Sequence, residues 1–149
     1  MHYNFRKKFD TRGQTLLEIL IALGVGVAVL SGIVVLVFTS LSGAQFSKNQ
    51  NLATQYGQEG MELVRKERDT KGWDTFFTSY PNGTYCLSKE GVFTKLTEAS
   101  CLKNVGIFIR SVEFSWNGER ATVTTTVSWT DSKGKHQSKL ISYFTKWNI

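Results

Sequence analysis

The hydrophobic and polar positions of this 149-residue chain are unevenly distributed, and one stretch is almost entirely apolar. Residues 19–38 form a run of 20 residues without a charged side chain. As an α-helix with a rise of about 1.5 Å per residue, the run is roughly 30 Å long, which matches the hydrocarbon thickness of a bilayer. It is longer than the apolar core of about 7–15 residues in a secretory signal peptide. The pattern therefore predicts one membrane-spanning helix.

Helical spacing continues beyond the apolar run, but from there only one side of the helix is hydrophobic. The apolar side carries Leu52, Tyr56, Leu63 and Val64. The other sides carry charged residues, which are Glu59, Glu62, Arg65, Lys66, Glu67 and Arg68. This spacing predicts one long helix from about residue 16 to residue 69. Its amino half would span the membrane, and its amphipathic carboxyl half would pack on the rest of the chain.

The last 45 residues alternate between apolar and polar positions, as antiparallel strands with one buried face do. Two alternating runs, at 105–109 and 112–116, have opposite phase, which predicts a β-bulge near Arg110. Asn117 followed by Gly118 is a strong hairpin signal. Further strands are expected at about 121–129 and 140–144, with a turn at 131–134 between them.

The segments between the helix and this sheet are shorter and more irregular. Residues 69–83 contain turn signals together with aromatic residues that are expected to pack on the helix, which are Trp73, Phe76, Phe77 and Tyr80. One or two short strands are expected at 84–103. A sheet with one apolar face must be covered, and the amphipathic half of the helix is available. The sequence therefore predicts an α+β fold with a long amino-terminal helix on an antiparallel β-meander.

Half of the excess positive charge lies at the amino terminus. The formal net charge is +6, and the first thirteen residues contain Arg6, Lys7, Lys8 and Arg12 against Asp10. Basic residues before an apolar span keep the amino terminus in the cytoplasm and send the carboxyl part across the inner or cytoplasmic membrane. A nucleic-acid partner stays an unsupported alternative, because the Trp and Tyr residues could stack on bases but residues of these types more often pack in the core of a sheet.

The two cysteines, Cys86 and Cys101, both follow the apolar run. Their spacing matches neither a CxxC redox pair nor a four-ligand zinc site. In an exported domain they are expected to form one disulfide that closes a loop of about 15 residues. In a reducing compartment they would be free thiols, and the residues alone leave both alternatives open.

Glu18 is the only charged residue between Arg12 and Lys48, and it lies at the start of the apolar run. A carboxylate in apolar surroundings is unfavourable unless it finds a partner. In one alternative, Glu18 stays in the lipid headgroup layer. In the other, cleavage just before Gln14 creates an amino terminus four residues away, and Glu18 pairs with a cationic group of its own chain or of a neighbour.

The residues around Glu18 resemble the class III signal of type IV pilins and of the pseudopilins of type II secretion or competence systems. That signal consists of a glycine, a cleavage site and a Thr-Leu-x-Glu pattern that continues into an apolar helix. Residues 13–23 of this chain, after the basic leader, are GQTLLEILIAL. The resemblance covers residues 6 to about 38.

The resemblance implies a precursor that a prepilin peptidase cleaves between Gly13 and Gln14, with methylation of the new amino group of Gln14. Glu18, with Thr15 and Leu16 beside it, would act in subunit assembly by pairing with the amino terminus of the adjacent subunit. The implied partners are identical or related pilins, the prepilin peptidase, an inner-membrane platform and a cytoplasmic motor ATPase.

The resemblance also implies a division of the chain and a final location. The leader would be 1–13, the transmembrane and assembly segment 14–39, and the extracytoplasmic domain 40–149, which includes the amphipathic half of the helix. The segment 56–62 is similar to that of minor pilins and pseudopilins, which favours a minor subunit in an extracellular or periplasmic filament. The alternative is a single-span membrane protein that displays a binding domain and does not polymerise.

The sequence contains none of the common enzyme motifs HExxH, GxSxG or the P-loop. His136 stands alone at the start of a predicted strand, where a surface position is the usual outcome. We therefore expect no enzymatic activity, no cofactor and no metal site.

Overall fold

The computed structural model describes residues 12–96 and 101–146. Along the chain it contains two helices and five strands, which are α1 (Arg12–Lys71), α2 (Trp73–Ser79), β1 (Gly83–Leu87), β2 (Phe93–Lys95), β3 (Ile109–Trp116), β4 (Arg120–Asp131) and β5 (Gly134–Thr145). The chain divides into an amino-terminal unit, Met1–Gln45, and a carboxyl-terminal unit, Phe46–Ile149. Helix α1 contributes residues to both units and agrees with the single long helix that the sequence predicts.

The strands form one antiparallel sheet in the order β2-β1-β3-β4-β5. Strands β3, β4 and β5 are the predicted meander, and the β1–β2 pair extends the sheet beside β3. Gly118, with φ of 99°, lies in the β3–β4 hairpin, where the side-chain oxygen of Asn117 accepts hydrogen bonds from the backbone N–H groups of Glu119 and Arg120. The predicted α+β class is confirmed.

The carboxyl half of α1 covers one face of this sheet. Its buried residues Ala53, Met61 and Val64 meet the alternate residues of the strands that face the helix. Those strand residues are Tyr85, Leu87, Val112, Phe114, Ala121, Val123, Val127 and Trp129. Removal of this apolar surface from water is the main force that holds the helix on the sheet.

Helix α2 occupies a segment for which the sequence predicted only turns and packed aromatic residues. Gly72, with φ of 77°, separates α1 from α2. One turn later Phe76 and Phe77 are buried in the core, and the ring centroid of Phe76 lies 5.5 Å from that of Phe114. The predicted packing of these aromatic residues is confirmed. The seven-residue helix α2 places Phe76 and Phe77 against the core.

The predicted bulge near Arg110 is wrong. Strands β3 and β4 keep one continuous register from Ile109 opposite Ser128 to Trp116 opposite Ala121. The change of phase occurs before β3, where residues 105–108 form a tight turn closed by an isolated bridge between Val105 and Phe108. The turn buries both of these side chains, so alternation at 105–109 does not reflect a strand.

Cys86, on β1, and Cys101 form a disulfide. Since the two cysteines are 15 positions apart, the bond ties the segment after β2 back onto the sheet. Of the two alternatives that the sequence left open, the structure contains the disulfide.

Candidate functional site: an exposed apolar helix segment

The most unusual surface of the chain is the amino-terminal part of α1, which we call the apolar segment (residues 16–41). Its large hydrophobic side chains are all more than half exposed, from Leu16 at 65% through Phe38 at 69% to Leu41 at 62%. By length and composition, the part of α1 from Thr15 to Lys71 is long and apolar enough to cross a membrane. An apolar surface of this extent needs a cover of lipid or of other protein.

Glu18 is the only charged residue within the apolar segment, and its side chain is exposed. Helical spacing places Ile21 and Ala22, three and four positions later, on the same face. A carboxylate in a lipid environment is unfavourable unless it has a cationic or hydrogen-bonding partner. The geometry of one chain therefore leaves Glu18 accessible to a group from outside that chain.

The predicted cleavage site lies at the very start of the described part of the chain. Gly13 and Gln14 belong to the first turn of α1, and Thr15 and Leu16 follow directly. The leader residues 1–11 lie outside the described residues. Cleavage, methylation and the assembly role of Thr15, Leu16 and Glu18 thus stay predictions.

Three glycines in the apolar segment have open space around them among the residues that the structure describes. A Cβ atom added at Gly24, Gly26 or Gly32 would meet no atom within 4 Å. Glycine lowers helix stability by about 1 kcal/mol relative to alanine. Small residues on a membrane helix allow another helix to approach closely.

In the carboxyl-terminal unit, the sequence interpretation missed the importance of Arg110. This side chain is fully buried between β3 and the carboxyl half of α1. Its guanidinium donates hydrogen bonds to the backbone carbonyls of Leu87, Ser88 and Tyr56, so it links β1 and its following loop to the helix. Burial lowers the pKa of Arg110, and the Glu59 carboxylate, 3.8 Å from Nη1, opposes this effect.

The sequence feature that points to the burial of Arg110 is a glycine on the helix. Gly60 faces the arginine, and a Cβ at this position would lie 3.0 Å from Cδ of Arg110. A glycine at a core-facing position of an amphipathic helix is a sign of close approach. Read together with an arginine at an inward position of β3, it could have indicated a buried guanidinium.

His136 is paired rather than isolated. Its Nε2 lies 2.9 Å from Oδ1 of Asp131, which also accepts a hydrogen bond from the backbone N–H of Lys133. These hydrogen bonds, with that of His136 first, hold the pKa of Asp131 below its ordinary value of 3.8. The His136 ring also lies 5.3 Å from that of Trp129, centroid to centroid. The pair closes the β4–β5 turn.

Residues 12–96 and 101–146 contain no cluster of side chains suited to bind a metal ion. No three or more His, Cys, Asp or Glu side chains in this part of the chain come together in a way that could hold a metal ion.

Comparisons of the chain with protein-family models, with curated proteins and with solved structures find no significant match.

Proposed function

We propose that this chain is a structural subunit, and more specifically a minor subunit, of a type IV pilus-like filament. It is made as a precursor, cleaved between Gly13 and Gln14, and polymerised through the apolar segment. The observation that carries this proposal is an apolar helix segment whose large side chains are all more than half exposed and whose only charge is Glu18. The supporting observation is that the same helix continues into a domain in which it covers an antiparallel sheet.

The exposed segment favours polymerisation for a physical reason. Fully burying one large aliphatic side chain is worth roughly 1.5–3 kcal/mol relative to water. The apolar segment therefore cannot leave a bilayer for water, but it can leave it for a bundle of like helices, which are about as apolar as lipid. Extraction from the membrane and incorporation into the bundle must be coupled.

Glu18 gives the bundle its register. Cleavage before Gln14 would place a free amino group one helical turn before the Glu18 carboxylate. In a bundle of parallel helices, an amino terminus and a carboxylate from neighbouring subunits can neutralise each other if the helices are offset. Burial of one charge without the other would be strongly unfavourable, so the pair selects one offset.

The experiment that tests this proposal compares Glu18→Gln with Glu62→Gln in cells that make the filament. Glu62 lies on the same helix, is exposed, and carries the same charge, so its substitution is a matched control. Both variants should insert in the membrane, and only Glu18→Gln should be depleted from sheared filaments. Equal amounts of the two variants in filaments would contradict the assembly role of Glu18.

The alternative function, a membrane-anchored binding domain that does not polymerise, predicts a different distribution. The unmodified chain would then remain in the membrane fraction and be absent from sheared filaments. The prepilin peptidase, the platform and the motor ATPase belong to the proposed function alone.

A further inference from the structure

One end of the carboxyl-terminal unit is the end at which α1 enters it. Phe46 is the first residue of this unit, and its ring centroid lies 5.0 Å from that of His136 and 6.2 Å from that of Trp129. The Trp129 ring also packs on Phe108, at 5.9 Å between centroids. The β4–β5 turn and the loop at 101–108 therefore lie at the end of the unit where the chain enters from the apolar segment.

This end carries four exposed lysines, Lys48, Lys103, Lys133 and Lys135, which we call the basic rim. None of the four takes part in an ion pair with any residue in the described ranges. Asp131, the acidic residue of the β4–β5 turn, has its Oδ1 engaged by His136 and by a backbone N–H group. The basic rim therefore presents positive charge that no ion pair between the described residues balances.

Two large apolar side chains are exposed in the loop at 101–108, which carries one lysine of the basic rim. Leu102 is 86% exposed and Ile107 is 52% exposed. Lysines interspersed with exposed aliphatic residues are typical of surfaces that bind an anionic membrane, because the cations attract the headgroups while the apolar groups enter the acyl boundary.

The length of the chain limits how far this end can lie from the membrane. Phe46 is eight positions after Phe38, the last residue of the 20-residue apolar run. Eight residues span at most roughly 28 Å even when fully extended. Where the apolar run crosses a bilayer, Phe46 is thus within roughly 28 Å of the residue at which the run ends.

We propose that the basic rim docks on the anionic lipid headgroups of the membrane in which the chain resides before assembly. This inference rests on the membrane insertion that the proposed function includes, but not on polymerisation. Docking would fix the carboxyl-terminal unit in one orientation on the membrane. Incorporation into a filament would then require release of the rim from the headgroups.

The test uses the full chain in nanodiscs, with a fluorophore on Ser132→Cys and a nitroxide on the headgroup of a small fraction of the lipid. Ser132 is exposed in the β4–β5 turn, next to the basic rim. Quenching should be stronger in discs of phosphatidylcholine with phosphatidylglycerol than in discs of phosphatidylcholine alone. It should weaken at about 1 M salt, where the Debye length is about 3 Å.

Two double variants of the labelled chain provide the comparison. Each neutralised lysine should weaken the attraction about fivefold, so Lys133→Gln with Lys135→Gln should reduce quenching towards the level in phosphatidylcholine. The control, Lys66→Gln with Lys95→Gln, removes the same charge from exposed positions elsewhere on the unit and should leave quenching unchanged.

Equal quenching in the two lipids, or no effect of salt on the parent chain, would overturn the proposal without reference to any variant. An equal loss in both double variants would also overturn it, because the effect would then depend on net charge alone. Failure to enter filaments would refute the proposed function and leave the nanodisc result unaffected, so the two failures are distinguishable.

Discussion

Gly60 on α1 lies directly against the buried side chain of Arg110 on β3. A Cβ at Gly60 would lie 3.0 Å from Cδ of Arg110 and 3.1 Å from Cγ2 of Thr125. Neither neighbour can move freely, because the guanidinium of Arg110 is fixed by three backbone carbonyls and Thr125 is fully buried.

Gly60→Ala should therefore destabilise the carboxyl-terminal unit. Overpacking of a core costs about 1–3 kcal/mol, which exceeds the gain of about 1 kcal/mol from better helix propensity. Gly57→Ala is the matched control, because its Cβ would lie 3.9 Å from Cγ2 of Val127, an ordinary contact. Urea unfolding of the full chain in detergent should show a lower midpoint for Gly60→Ala and a slightly higher one for Gly57→Ala. A higher midpoint for both would mean that the Arg110 contact yields easily.

Arg110→Lys should destabilise the fold by about 2 kcal/mol, because an ammonium cannot reach all three carbonyls to which the guanidinium donates. Hydrogen bonds to charged groups are worth about 1.5–3 kcal/mol each. Glu59→Gln should change stability by less than about 1 kcal/mol, because the Glu59 carboxylate is partly exposed and 3.8 Å from the guanidinium. The same unfolding measurement separates the two. A larger effect from Glu59 than from Arg110→Lys would show that the ion pair, not the carbonyl set, holds the arginine.

The paired substitution Cys86→Ala and Cys101→Ala should lower the free energy of unfolding by about 3 kcal/mol, as expected for the loss of a disulfide across a loop of about 15 residues. A reducing agent should lower the stability of the parent chain by a similar amount and leave the variant unaffected. If the reducing agent affected both chains equally, the stabilisation would not come from the Cys86–Cys101 bond.

The Asp131–His136 pair should make stability depend on pH on the acid side. Because the pKa of Asp131 is lowered in the folded chain, its contribution is present above the ordinary value of 3.8 and is lost as the pH falls through the folded value. Asp131→Asn should therefore have a lower Tm than the parent chain at about pH 6, and the difference should shrink as the pH is lowered. A difference that stays constant down to about pH 2 would indicate a packing effect of the substitution instead.

Much of the fold could be predicted because local chemistry and long-range packing agree in most of the chain. The apolar run and the amphipathic spacing after it fix the long helix, and Asn117 with Gly118 fixes the central hairpin. The tight turn at 105–108 could not be predicted, because Val105, Ile107 and Ile109 alternate as they would in a strand, although the structure buries Val105 and Phe108 and leaves Ile107 exposed. Helix α2 was hidden because burial of Phe76 and Phe77 outweighs the local turn signals.

The candidate site shows a different limit. Glu18 and the glycines of the apolar segment could be selected from the sequence, since a carboxylate and small residues are conspicuous in an apolar run. In the proposed function their partners belong to neighbouring subunits, which the sequence of one chain does not identify. Arg110 was missed for the opposite reason, since a charged residue suggests a surface until its backbone acceptors are known.

The most direct test of filament assembly after processing is the mass of this chain in sheared surface filaments. We expect a polypeptide that begins at Gln14, with or without a methyl group on its amino nitrogen. An intact polypeptide that still carries Arg12 and Gly13, found in membranes and absent from filaments, would contradict it.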